Sequence, residues 1–539
     1  MAAMASRCVA ELRHLLPDEG LSDAVGHLEI SGIQLDSRNI EPGDLFIAVP
    51  GAAPGIAAPG AGQHNNTDGR MFIIEAIAAG AVAVIAEQTG WQEDWQEGIA
   101  LDCPVPVLLI AELAKNVSAI AGRFYGEPSN HVNVIGVTGT NGKTTCTQLL
   151  AQLFNHLDVP AGVIGTLGYG MADAELSSLE MTATGLTTPD AVLGQQILAD
   201  MYARGAGYVA MEVSSHGLDQ GRINGIRMRG AVFTNLSRDH LDYHGAMADY
   251  FSSKKKLFAQ PGLQFAVINV DDRAGVALTE SLARHIKCYS YSVADSSASV
   301  FADAVSLSGH GLEADIVTPW GKARLRSRLI GEFNLSNLLA VIAVACATGL
   351  QLGDVVDAVA KLRPVAGRLE VVSDDSRPLV IVDYAHTPDA LEKVLATLGP
   401  TTRNTAGSKL WCVFGCGGER DRGKRPEMGA VAERLADEVV VTSDNPRGEA
   451  PAKIISDILA GASRPFHSIE DRAEAIHFAI VHAAPADTVL IAGKGHEEYQ
   501  ITGDNRLPFV DAAQARLALR SRDADIGSAS RRGLGDDSA

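Results

Sequence analysis

At 539 residues the chain is too long for one hydrophobic core, and about three domains are expected. Its composition, 46% apolar and 20% charged, is that of a globular protein, and a formal net charge of −20 argues against a general nucleic-acid surface. The seven cysteines are scattered and odd in number, which argues against a disulfide framework, and no close pair has the two-residue gap of a zinc site.

Residues 1–131 read as a small α/β domain. Its start carries no secretory pattern, because Glu11, Arg13 and His14 interrupt any apolar stretch. Asp36-Ser37-Arg38 and Pro42-Gly43-Asp44-Leu45-Phe46-Ile47-Ala48 alternate turn chemistry with short strand-like runs. Residues 51–62, rich in Ala, Pro and Gly, read as a flexible loop. A helix over 73–79 and a buried strand over 81–86 follow, with a boundary near 110–131.

Residues 132–362 form the next unit. The apolar run 132–137 reads as a buried strand and leads into Thr138-Gly139-Thr140-Asn141-Gly142-Lys143-Thr144-Thr145. After it, Cys146, Leu149, Leu150, Leu153, Phe154 and Leu157 recur at helical spacing. A glycine-rich turn between strand and helix suits phosphate, because backbone N–H groups can approach the oxygens and the helix N-terminus adds positive potential. Lys143 would neutralise the outer phosphates, and Thr144 or Thr145 would place a hydroxyl on magnesium. The general motif has glycine where this chain has Val137, and a purely structural turn is the competing reading.

Two further strands, over 208–213 and 231–236, end in Met211-Glu212-Val213-Ser214-Ser215-His216 and in Ser237-Arg238-Asp239-His240-Leu241-Asp242-Tyr243-His244. Ligands gather at the carboxyl ends of parallel strands, so Glu212, Asp239 and His240 are candidates to face the phosphates. Glu212 suits a hard cation, against a solvated strand end. A lone histidine is as often structural as ligating. Lys254-Lys255-Lys256 falls on a helix after Tyr250-Phe251, and spacing alone singles out none of the three. Residues 323–329 alternate as antiparallel strands do, and Gly331-Glu332-Phe333-Asn334-Leu335-Ser336-Asn337 opens an apolar helix. The longest apolar run, 338–350, is too short to span a membrane, and a reducing cytoplasm is the expected compartment.

Residues 363–520 alternate strand and helix, with strands over 379–382, 410–414, 439–442 and 489–492. They end in Asp383-Tyr384-Ala385-His386, Gly415-Cys416-Gly417-Gly418-Glu419-Arg420, Asp444-Asn445-Pro446-Arg447 and Gly493-Lys494-Gly495-His496-Glu497. This is a second doubly wound domain whose binding edge faces the first. Asn-Pro can be only a turn, but Arg447 with Arg420 could grip a carboxylate through paired hydrogen bonds. Cys412 and Cys416 read as core packing. Residues 521–539 are polar and expected to be disordered.

In this order the motifs resemble the Mur ligase family over nearly all the chain, from Leu35-Asp36-Ser37-Arg38 to Gly493-Lys494-Gly495-His496-Glu497. The resemblance implies an α/β fold of three domains, with a central P-loop-type parallel sheet and a C-terminal Rossmann-like domain. It implies a monomeric ATP-dependent ligase, adding meso-diaminopimelate to UDP-N-acetylmuramoyl-L-alanyl-D-glutamate through an acyl phosphate, with Mg2+ and without nucleic-acid partners or membrane insertion.

The same resemblance distributes the residues. Gly139, Thr140, Asn141, Gly142, Lys143, Thr144, Thr145 and Asp383 would contact ATP, with Asn334 and Arg368 near the adenine. Thr144, Glu212, His240 and Lys254 would hold magnesium, Lys254 as a carbamate (N6-carboxylysine). Lys254 is selected by the family's spacing from Tyr250 to Leu257, and Lys143, His240 and Lys254 are the implied catalytic set. Leu35 and Ser37 would hold the uridine end, and Thr187, Thr188, Ser214, Gln220 and Arg222 the muramoyl peptide. Arg420, Asp444, Asn445, Pro446, Arg447, Gly493 and Glu497 would take diaminopimelate. The insertion before Asp68-Gly69-Arg70 departs from the family pattern, and the uridine-binding residues of that loop are matched only to 65–67. A folylpolyglutamate synthase shares the ligase fold but gives no reason for Arg420 or Asp444-Asn445-Pro446-Arg447. An ATP-dependent scaffold without turnover leaves Glu212, His240 and Lys254 unexplained.

Overall fold

A computed structural model describes residues 8–51, 68–92, 104–171, 181–308, 311–373, 378–403, 405 and 407–533. The insertion from 52 and the uridine-loop candidates 65–67 lie outside the described residues.

Three sheets organise the chain. The first is parallel, in the order Gly32–Gln34, Asp44–Ala48, Ala83–Glu87, Val107–Ile110. Helix Leu113–Phe124 covers one face, and its Leu113, Val117, Ile120 and Ala121 share a core with Leu45, Ile47 and Ile85.

The central sheet runs Gly321–Ser327, Gly311–Thr318, Val300–Ser308, Lys287–Ser292, Phe265–Asn269, Met228–Phe233, Asn133–Thr138, Tyr208–Glu212, Ala161–Gly165, Gly168–Met171. It is parallel except for the hairpins at its two edges. Strand Asn133–Thr138 lies inside it, bonded to Tyr208–Glu212 on one side and Met228–Phe233 on the other. Strand order reverses there, which opens a crevice at the carboxyl ends. The strand expected over 231–236 ends at Phe233. Thr234 and Asn235 leave the sheet to bond the neighbouring loop. The apolar run near 338–350 belongs to helix Glu332–Ala347, buried on nearly every side against helix Lys143–His156 and the sheet. Among the described residues no helix is long and apolar enough to cross a membrane.

The last sheet runs Glu370–Val371, Leu379–Asp383, Thr488–Ala492, Leu410–Phe414, Glu438–Val441, His467–Ser468, parallel beyond its first strand. Cys412 and Cys416 are buried in its core. Helix Asp511–Gly533 runs through residues expected to be disordered from 521 onward, because Ala and Arg are strong helix formers whatever their polarity. Its Asp511 forms a fully buried, two-pronged ion pair with Arg472, at 2.7 Å on each prong. Arg472 also donates to the carbonyls of Ser443 and Ala492, the residues just before the loops 444–447 and 493–497.

Candidate active site

The turn after Asn133–Thr138 is built on two glycines in the left-handed region, Gly139 (φ +150°) and Gly142 (φ +86°). A Cβ at Gly139 would lie 1.9 Å from Thr234 Oγ1, and one at Gly142 2.7 Å from Asn337 Oδ1, so neither position admits a side chain. The neighbouring strand end pins the turn: Thr140 N donates to Asn235 O (2.8 Å), Asn141 N to Asn235 Oδ1 (2.9 Å) and Thr234 Oγ1 to Asn141 O (2.5 Å). Helix Lys143–His156 starts at once, so its unpaired N–H groups and positive end face the turn. Lys143 Nζ donates to Gly139 O (2.9 Å) and Thr140 O (2.8 Å). Burial lowers its pKa, against the pull of Glu212 and Asp239.

A cleft of about 540 Å³ opens over this turn, between the central and last sheets. Its walls include Thr140 to Thr145, Thr166, Thr187, Glu212, Asp239 and His240 from one side, and Arg368, Asp383 and His386 from the other. Glu212 ends its strand 1% exposed, and both carboxylate oxygens are held by Thr166, through its N–H (2.9 Å) and hydroxyl (3.0 Å). A Cβ at Gly165 would stand 2.2 Å from Glu212 Oε1, so that glycine makes room for the carboxylate. His240 adopts a left-handed backbone (φ 54°) with Nε2 3.5 Å from Asp239 Oδ2. Burial drives its pKa well down although Asp239 opposes, which leaves a neutral imidazole.

From the opposite wall, Arg368 Nη2 donates to Thr144 Oγ1 (3.2 Å) while its guanidinium lies 4.3 Å from the centre of the Tyr384 ring. Asp383 accepts from Leu369 N and Ala385 N (2.8 Å each), and burial raises its pKa against Arg368. The walls are joined directly. Asn141 Nδ2 donates to Asp389 Oδ2 (2.9 Å), Arg238 donates to Asp421 (3.2 Å) and Glu427 (3.1 Å), and His386 Nε2 lies 3.9 Å from Asp239 Oδ2.

Asn334 and Lys254 do not line the cleft. Asn334 Nδ2 donates to Ile330 O (2.8 Å), and it is Glu332, Phe333, Ser336 and Asn337 of the same helix that reach the wall. Lys254, 1% exposed, sits behind the turn and donates to Gly139 O (2.8 Å) above the Tyr250 ring. Burial holds its amine well below the ordinary lysine pKa, helped by Lys143. Lys256 of the same run is exposed and pairs with Asp219 (2.7 Å).

Thr187, Thr188, Ser214, Gln220 and Arg222 form one group beside Glu212. The Thr166 hydroxyl, which donates to Glu212, lies 3.1 Å from Thr187 Oγ1 and can accept from it. Thr188 is fully buried, its hydroxyl donating to Glu212 O (2.9 Å) and accepting from Ser214 N (2.9 Å). Arg222 donates to Thr188 O (2.7 Å) and Gln220 Oε1 (2.6 and 2.9 Å). Leu35 packs on the first core and Ser37 opens the turn Ser37–Asn39; no described hydrogen bond joins them to this group.

The loops of the last sheet gather Arg420, Asp444, Asn445, Pro446, Arg447, Gly493 and Glu497. Arg447 (φ 52°) donates to Gly418 O (2.8 Å), and its backbone is bonded to Ile501 O and Gly503 N. Asn445 Nδ2 donates to Glu497 Oε2 (2.8 Å). Gly493 (φ +114°) admits the Asp444 carboxylate, which a Cβ there would meet at 3.0 Å. The sequence reading left out Thr166, Asn337, His386 and Lys494. Lys494 and His386 lie within quoted strand-end turns and Asn337 within the quoted helix opening, whereas Thr166 lies in no quoted motif.

Among the described residues no three His, Cys, Asp or Glu side chains are gathered as a metal site. Magnesium takes one or two protein carboxylates and completes its shell with waters and phosphate oxygens. Thr144 and Glu212, on the cleft wall, are oxygen donors of the kind it accepts, and His240 beside them offers a neutral imidazole nitrogen.

The sequence matches the Mur ligase middle domain over residues 137–345 and the Mur ligase glutamate ligase domain over 367–495. It is 48% identical to the UDP-N-acetylmuramoyl-L-alanyl-D-glutamate–2,6-diaminopimelate ligase of Pseudomonas aeruginosa, over 91% of this chain and 95% of that protein. A solved structure of a ligase of the same name superposes with a TM-score of 0.66 at 36% identity, covering 96% of this chain and 99% of that one. The folylpolyglutamate synthase of Mycobacterium tuberculosis has the same fold, with a TM-score of 0.58 at 20% identity, over 75% of this chain and 95% of that one.

Proposed function

The chain belongs to the Mur ligase family, and we propose on that premise that it joins meso-diaminopimelate to UDP-N-acetylmuramoyl-L-alanyl-D-glutamate at the expense of ATP, in peptidoglycan precursor synthesis. The observation that carries the choice of amino acid is the pair Arg420 and Arg447. They are close enough that Arg420 helps lower the Arg447 pKa, after burial, and neither has an ion-pair partner among the described residues. Diaminopimelate differs from lysine by a carboxylate on its far carbon, and an unpaired guanidinium pair answers that group.

In the first step the D-glutamyl carboxylate attacks the γ-phosphorus of ATP, ADP leaves, and an acyl phosphate forms. In the second the amine of diaminopimelate attacks the acyl carbon, and the tetrahedral intermediate expels phosphate to give the amide. The N–H groups of 142–145, at the helix N-terminus, cradle the phosphates while Lys143 meets the outer ones. Thr144, Glu212 and His240 would hold magnesium, which when bound offsets the repulsion between carboxylate and phosphate. Burial lowers the pKa of Lys254 well below the ordinary lysine value, which favours the free amine that adds CO2, and the resulting N6-carboxylysine would offer oxygen ligands where lysine offers none. Asn141 with Asp389 and Arg238 with Asp421 and Glu427 hold the two walls together, shielding the acyl phosphate from water. We assign the enzyme to the cytoplasm, a reading supported by Cys146, Cys346, Cys412 and Cys416 being free thiols.

The test is phosphate release and product mass with the UDP-muramoyl dipeptide and ATP, with diaminopimelate, with lysine or with neither, and with a folate and glutamate. Release that requires both dipeptide and diaminopimelate supports this reading. Release only with folate and glutamate, or none at all, would sink it.

A further inference from the structure

Lys494 is fully buried, in a tight turn between Gly493 (φ +114°) and Gly495 (φ +54°). Its Nζ donates to Asn445 Oδ1 (3.0 Å) and Glu497 Oε2 (2.9 Å) and lies 3.8 Å from Asp444 Oδ1. One ammonium therefore touches both loops of the amino-acid site. Asn445 is wholly committed: Oδ1 also accepts from Ile501 N (2.9 Å), and Nδ2 donates to Glu497. Those two donors fix which way the amide faces.

The carboxylates of Asp444 and Glu497 also attract Arg447, yet form no ion pair with it among the described residues. In a buried site, carboxylates lacking a counterion draw in the nearest cation, because an unpaired buried charge is costly. Here that cation is already supplied from within.

We propose that Lys494 is the internal counterion of the amino-acid site, holding Asp444 and Glu497 so that Arg447 and Arg420 stay available to the distal carboxylate of the incoming amino acid. This deepens the assignment of the site to diaminopimelate and rests on it. Lys494 is a positioning residue: its charge acts through the carboxylates and does not touch the substrate.

The test is steady-state kinetics of the full-length protein with ATP, the UDP-muramoyl dipeptide and either diaminopimelate or lysine. In Lys494→Met the KM for diaminopimelate rises roughly ten- to a hundredfold, the loss of one charge-assisted contact, as Arg447 turns onto Glu497 or Asp444. The KM for ATP and for the dipeptide stays within about twofold, and the preference over lysine narrows. Lys494→Arg, which keeps the charge, retains most of the parent affinity. A folded Lys494→Met with the parent KM for diaminopimelate overturns the proposal, as does an equal loss toward all three substrates. Should Lys494→Met not fold by circular dichroism, Lys494→Arg decides alone: a parent-like KM supports the counterion role, and a rise like that of Lys494 removal overturns it. If the parent protein makes no diaminopimelate product, both this proposal and the functional reading fall; if it does and the variants match it, only this proposal falls.

Discussion

The two strand-end edges that meet across the cleft handle charge in different ways. The central edge works through backbone. Gly139 and Gly142 open the turn, the helix from Lys143 supplies positive potential, and few charged side chains are needed. The last edge works through side chains: Arg420, Asp444, Arg447, Lys494 and Glu497 set charge against charge across three loops. A backbone cradle suits a ligand common to many proteins, such as a nucleotide phosphate. A side-chain network suits discrimination between amino acids that differ by one group.

Substitutions can break this contrast. The largest effect is expected from Lys143→Ala, the one point charge of the backbone cradle: acyl-phosphate formation falls roughly a thousandfold or more with the fold intact. Turnover near the parent rate in phosphate release would refute the role of the turn. Lys254→Ala is expected to lose roughly a hundredfold or more and to recover with added acetate or formate, which can stand in for the carbamate oxygens. Activity titrated against carboxylate concentration measures this, and an unmodified residue mass in active enzyme would contradict it.

On the last edge the effects should be selective and smaller. Arg447→Ala raises the KM for diaminopimelate about ten- to a hundredfold, leaves that for ATP nearly unchanged, and narrows the preference over lysine. An unchanged diaminopimelate KM would separate the arginine from the site. The smallest effect concerns Glu449, which props Glu419 N and Arg425 beside the site. The Arg425 guanidinium holds its carboxyl down at about 2, against an ordinary 4.5. A depressed carboxyl pKa gives stability that is present above pH ~4.5 and lost as pH falls through ~2. Glu449→Gln should therefore lower Tm at pH 6 and make little difference near pH 2; equal shifts at both would disprove the linkage.

The same contrast explains what could be read from sequence. The turn 138–145 is contiguous, so its glycines, Lys143 and Thr144 are visible side by side. Glu212 was marked by its place at the end of an apolar strand. Thr166, which holds that carboxylate, sits on a different strand end, and only the strand order brings the two together. Asn337 was masked by its neighbour Asn334 one helical turn earlier; the rotation of the helix decides which one meets the cleft. Spacing could not choose among Lys254, Lys255 and Lys256, whereas the fold buries the first and exposes the last. Lys494 stands in a quoted turn, but its burial and its partners on the neighbouring loop exist only once the loops are assembled.

The ion pair between Arg472 and Asp511 gives the amino-acid site a place in time. Arg472 braces Ser443 and Ala492, the roots of the loops 444–447 and 493–497, and among the described residues its ion-pair partner is Asp511, at the start of helix Asp511–Gly533. As the chain leaves the ribosome, the nucleotide turn and the strands that pin it are already synthesised and can settle. Asp511 follows far behind them, so the brace beneath the loops 444–447 and 493–497 closes only after the turn 138–145 has been made.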